Sequence, residues 1–157
     1  MLRLPTSLLM LAALLLPAAG RVAVAQEAVD PVISKLDDEI ATFLQSVAEK
    51  DEKRAFDRLL LGSQLHEQTS AVEQMLEKVG QFERSYGKHQ ESERISQKRV
   101  GKDLVLLTYL YKCKDFPVVW HFKFYRDYNR ATLMNDSNNW VVIGVRFDTE
   151  LDALAGQ

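Results

Sequence analysis

The segment Val118-Val119-Trp120-His121-Phe122-Lys123-Phe124-Tyr125-Arg126 leaves this chain few ways to fold. Successive side chains of an extended strand point to opposite faces, so Val118, Trp120, Phe122 and Phe124 form one wall while His121, Lys123 and Tyr125 form the other. A wall with one tryptophan and two phenylalanines has to be covered, and its neighbours are also strands. Leu104 to Lys112 is apolar on both alternating sets, with Leu104, Leu106 and Leu110 on one and Val105, Leu107, Tyr109 and Tyr111 on the other. Trp140 to Asp148 is the third dense run. Gly101-Lys102-Asp103 turns the chain into the first of these strands. Pro117, which cannot donate to a ladder, suits the start of the second. The stretch Leu104 to Phe147 therefore reads as an antiparallel sheet, and what precedes it supplies the cover.

The N-terminal residues belong to a different category. Arg3 is followed by the apolar run Leu8 to Leu16, Pro17, and Ala23-Val24-Ala25, the pattern of a secretory signal with small residues at the cleavage site. Nine apolar residues are too few to span a bilayer, which takes about 20. Residues 1–25 are expected to be removed, residues 26–30 to form a short leader, and residues 31–154 to form a single domain. The expected location is exported, either periplasmic or secreted, with no membrane attachment after cleavage.

Loss of Arg3 and Arg21 with the signal changes the formal charge from −2 to −4. Charges of both signs are mixed along every segment, which argues against a nucleic-acid partner, since tracking a phosphate backbone takes a clustered positive field. Cys113 is the sole cysteine, so neither an internal disulfide nor a cysteine metal cluster can form. Its expected state is a free, partly buried thiol at a strand end.

In the first half, Val32, Ile33, Leu36, Ile40, Phe43, Leu44 and Val47 recur at helical spacing behind Asp30-Pro31, a cap followed by a proline tolerated in the first turn. Ala55, Phe56, Leu59 and Leu60 predict a second helix ending at Gly62-Ser63. Val72, Met75, Leu76 and Val79 predict a third, capped by Thr69 or Ser70 with Glu73 at capping-box distance and stopped at Gly80. Phe82 to Val100 is polar and is expected to be a charged edge strand. Tyr128 to Asn139 is a long loop of turn formers, and Glu150 to Leu154 a final helical turn.

Three helices followed by an antiparallel sheet, with Trp120-x-Phe122-x-Phe124-Tyr125 in one strand and Trp140-Val141-Val142-x-Gly144-Val145-x-Phe147-Asp148 in the next, resemble the cone-shaped α+β fold of the nuclear-transport-factor-2-like (cystatin-like) superfamily. The resemblance covers about residues 31–154 and points to small secreted members with no assigned chemistry. It implies N-terminal helices packed on a curved antiparallel sheet of about four strands, a pocket on the concave face, and a homodimer through the other face. These are packing motifs, so they speak for fold far more than for function.

Tyr109, Tyr111, Trp120, Phe122, Phe124 and Trp140 are the candidate lining of a ligand pocket, against the plainer reading that large aromatics form the core. The core reading is favoured. Ketosteroid isomerase and polyketide cyclases, which share the fold that the chain resembles, bury a carboxylate and a hydroxyl donor in an apolar pocket. Here Asp103 and Asp115 sit in turns, Asp148 ends a strand, and the Asp37-Asp38-Glu39 run reads as a solvated helix face, so no catalytic residue is assigned. His121 falls opposite Trp120, on a polar or interface face, and His66 and His89 fall in polar connectors. The histidines lack metal-ligand spacing, and neither a metal nor a cofactor is expected. The expected role is a non-catalytic exported module acting by homodimerisation or by binding a small apolar ligand or a partner protein. The alternatives are a pocket enzyme of the isomerase or cyclase type and a small accessory or inhibitor protein presenting the Tyr128 to Asn139 loop.

Overall fold

A computed structural model of the chain describes residues 30–128 and 139–151. The expected signal peptide, nearly all of the leader, most of the Tyr128 to Asn139 loop and most of the final helical turn lie outside the described residues.

Helix α1, Pro31–Ala48, begins as its sequence dictates: Asp30 accepts the backbone N–H of Val32 at 2.9 Å, and Pro31 occupies the first turn, where a missing donor costs nothing. Ile33, Leu36, Ile40, Phe43, Leu44 and Val47 are its buried stripe. Lys50, in the left-handed region at φ 65°, reverses the chain into α2, Glu52–Leu59, which buries Ala55, Phe56 and Leu59. Ser63 then fastens a short 3-10 turn, Gln64–Glu67, to the sheet. Its hydroxyl donates to the carbonyl of Val142 and accepts the N–H of Leu65 at 3.1 Å. Helix α3, Thr69–Val79, starts without a side-chain cap, so the expected Ser70–Glu73 capping box does not form.

The helices do not end at Gly80. Phe82–Tyr86 is a fourth, α4, and the edge strand expected from Phe82 begins only at His89. Phe82 explains the difference: it is an isolated apolar residue in a polar stretch, and a single turn of helix turns it into the core, where it is 5% exposed. Gly87, at φ 83°, makes the corner. A Cβ there would come within 2.6 Å of Asp115, in a turn whose N–H groups at Asp115 and Phe116 both bond to the carbonyl of Tyr86.

Strands β1, His89–Val100, β2, Leu104–Cys113, β3, Val118–Arg126, and β4, Trp140–Asp148, form an antiparallel meander in the order β1-β2-β3-β4. The fold class is α+β, with helices packed on a four-stranded antiparallel sheet. Register determines what each face carries. The helix side holds the rows Arg99, Val105, Phe124, Val142 and Gln97, Leu107, Phe122, Val145 and Arg94, Tyr109, Trp120, Phe147. An irregularity beside Lys123 and Phe124 lets Trp140 and Val142, and then Val145 and Phe147, all face the helices although two residues, Ile143 and Gly144, lie between the pairs where strict alternation would leave one. The facing read from alternation in β3 holds: Trp120, Phe122 and Phe124 are at most 1% exposed, and Lys123 and Tyr125 are open to solvent.

Candidate functional site

The six aromatic residues considered for a pocket divide three ways. Trp120, Phe122, Phe124 and Tyr109 are core. Phe43 from α1 packs edge-on against Trp120, Phe122 and Phe56, and Phe82 from α4 packs against Trp120 and Phe147. These rings fill the space between helices and sheet. Trp120 is fully buried, and its indole N–H has no hydrogen-bond acceptor among the described residues. Trp140 is half-buried at one end of the sheet, beside a shallow groove that Leu61, Lys35 and Arg58 also line. Tyr111 lines a larger cleft at the other end of the helices.

That cleft, of about 620 Å³, lies beyond the filled interior, at the end of the sheet where α1, α3 and α4 terminate. Val47, Val79 and Phe82 give it an apolar wall, and Lys50, Glu52, Glu83, Arg84 and Lys88 a charged rim. Tyr111 and His89 lie at the sheet side, their rings 4.2 Å apart and tilted by 30°. His89 was expected in a connector; it opens β1, bonds Ser92 at 3.0 Å, and burial lowers its pKa. Lys50 and Glu83 pair with each other across the rim.

Sequence reasoning missed Asp37. It is not simply a solvated residue of α1, because it accepts both the hydroxyl of Tyr109 and the guanidinium of Arg94. Burial, reinforced by the hydrogen bond to Asp37, holds the Tyr109 hydroxyl far above the ordinary tyrosine range. A carboxylate paired with a tyrosine is the combination that isomerase chemistry needs, yet here the groups satisfy one another on the seam between α1 and the sheet. The helical position of Asp37, one residue after the buried Leu36, was the available signal.

The face of the sheet away from the helices carries its own order. Its first row, Val100, Leu104, Tyr125, Val141, is apolar across all four strands, with Ile143 beside it; Val100, Tyr125 and Ile143 are 43%, 45% and 47% exposed. The next row is Lys98, Leu106, Lys123, Gly144, and the third is Ser96, Thr108, His121, Arg146. His121 forms a chain of polar contacts there. Its Nδ1 lies 3.4 Å from the Thr108 hydroxyl and its Nε2 3.1 Å from Asp148, which also accepts Arg146 at 3.1 Å. Burial and then Arg146 lower the His121 pKa against the opposing pull of Asp148. Of the apolar residues in β2, β3 and β4, Tyr125, Val141 and Ile143 face outward, whereas Val105, Leu107, Tyr109, Tyr111, Val145 and Phe147 face the helices.

Cys113 is buried with a free thiol at the end of β2, and burial, with Asp115 nearby, pushes its pKa up to about 11. Among the described residues, no group of three or more His, Cys, Asp or Glu side chains could hold a metal ion, and no helix is long and apolar enough to cross a membrane. No protein-family model matches the chain, and comparison with curated proteins and with solved structures finds no match.

Proposed function

We propose that the protein is an exported, non-catalytic binding module of the nuclear-transport-factor-2-like type, and that it works as a homodimer joined through the outer face of its sheet. The observation that carries the reading is the unbroken apolar row Val100, Leu104, Tyr125, Val141 with Ile143 at its side. Apolar residues aligned across every strand of a sheet form a contiguous patch, and such patches on soluble proteins mark interaction surfaces. A two-fold axis near this row sets it against its own copy and keeps Lys98, Lys123 and His121 toward the rim, where charge remains hydrated. The order of elements, helices and then a four-stranded meander, is compatible with the cone that the sequence resembles.

The pocket-enzyme alternative has less to rest on: of the carboxylate–tyrosine pairs among the described residues, Asp37 with Tyr109 is already engaged with Arg94, and Asp103 with Tyr128 is exposed. The homodimer reading is tested by light scattering on wild type and Ile143→Glu. Wild type is expected to scatter as a dimer, and a charge on the patch to give a folded monomer; a wild-type monomer at high micromolar concentration would sink the reading.

A further inference from the structure

Trp140 packs against the core without being sealed in it, and part of its indole lines a groove of about 380 Å³ on the helix side. Arg99, whose guanidinium lies 5.7 Å from the ring centroid, does not line that groove, so the two meet the ring at different places. The facing wall comes from α1. Lys35, Asp38, Glu39 and Thr42 are spaced as one helical stripe, so they set donors and acceptors along a row about 10 Å long. Arg58 of α2 also lines the groove. With Thr42 it carries the row into an adjoining hollow on the α1–α2 seam, where Gln45 and Ser46 continue the stripe.

Charge in the groove selects neither sign of ligand, because Lys35 and Arg58 balance Asp38 and Glu39. A polyanion would call for an excess of cations, and a cation for an excess of acids. A wholly apolar ligand would strip water from charged side chains and give nothing back. An extended peptide docks on a strand edge or in apolar sockets, and the α1 and α2 walls supply neither. A neutral, elongated ligand fits best, with a flat apolar face for the indole and an edge of groups that both donate and accept. A pyranose ring has that character: C–H bonds on its faces and hydroxyls around its edge, each a donor and an acceptor.

We propose that this groove binds a neutral linear oligosaccharide. One ring stacks on Trp140, and hydroxyls of that ring and the next donate to the Asp38 carboxylate and accept from the Arg58 guanidinium. The proposal is independent of the homodimer, because these groups lie on the helix side of the sheet, away from the apolar row.

The test is titration of the purified protein with cellotetraose, N-acetylchitotetraose and maltotetraose, followed by calorimetry and by tryptophan fluorescence. At least one of the three should saturate a single site per chain and change the emission. Of the two tryptophans Trp120 is sealed in the core, so Trp140 is the reporter. Tetragalacturonate, of the same length but anionic, should bind no tighter. Trp140→Leu should abolish the emission change and weaken binding about tenfold, the effect of losing one aromatic contact. Because Trp140→Leu also removes the contact with Arg99, Arg58→Ala is the second variant: Arg58 is exposed, and its loss should weaken binding about fivefold, one charged hydrogen bond, with the thermal midpoint unchanged. Absence of saturable binding by all three neutral glycans, tighter binding of tetragalacturonate, or affinity unchanged in either variant would overturn the proposal.

Discussion

The guanidinium of Arg99 lies 5.7 Å from the ring centroid of Trp140, although Arg99 belongs to β1 and Trp140 to β4, the two edges of the sheet. Three strand spacings separate those edges, about 14 Å in a flat sheet, so side chains meeting over the helix face mean that the sheet curls toward the helices. Arg99 also pairs with Asp30, the cap of α1, and so fixes the start of the long helix to the end of the sheet that it covers.

The Arg99 contact predicts a measurable coupling. Arg99→Ala should destabilise by roughly 1–2 kcal/mol, from the cation–π contact and a half-exposed ion pair together. A double-mutant cycle of Arg99→Ala with Trp140→Leu should return a coupling of about 0.5–1 kcal/mol in urea denaturation. Strict additivity would mean that the two side chains do not meet in solution.

The facing of β3 predicts very unequal costs at adjacent positions. Trp120 is fully buried against Phe43, Phe82 and Phe122, so Trp120→Ala should destabilise by roughly 3–5 kcal/mol, the range of large aromatic truncations. His121→Ala, on the outer face, should cost roughly 1 kcal/mol or less. Equal losses in a denaturant titration would contradict the facing.

Much of this was legible in the sequence, and the reasons differ by element. Alternation in β3 was unambiguous because Trp, Phe and Phe occupy one parity and His, Lys and Tyr the other. α1 was legible from its Asp30-Pro31 start and its continuous stripe. α4 was not, since a five-residue helix with one buried side chain has no period to detect. The outward set in β2 was undecidable locally, because Leu104, Leu106 and Leu110 are as apolar as Val105 and Leu107. Only pairing with Phe124 and Phe122 decides it. Asp37 was missed because its partners come from Arg94 and Tyr109, more than fifty residues away.

The two half-buried histidines, His89 and His121, predict how stability depends on pH. Burial lowers the pKa of His89 and of His121 in the folded chain, so through the histidine range the unfolded chain binds more protons than the folded one. Their contribution is present in full above about pH 6.5 and is lost as pH falls from there through the folded-state values. Around His121, Lys123 and Arg146 oppose protonation and Asp148 favours it. Urea midpoints measured at about pH 7.5 and about pH 5 should therefore drop on acidification in wild type. The drop should be smaller in His89→Gln with His121→Gln; an identical drop in that variant would assign the effect to carboxylates instead.

The homodimer through the outer sheet face is examined most directly by electron-spin dipolar spectroscopy between copies. Cys113, buried and with a pKa of about 11, should stay unlabelled in the folded protein, so a single introduced cysteine can carry the spin label. Lys98→Cys places that label on the outer face beside the apolar row, and Arg58→Cys places it on the helix side. A short inter-copy distance from position 98 and a longer one from position 58 is the predicted result. Absence of coupling from position 98 at high micromolar concentration, or a shorter distance from position 58, would contradict it.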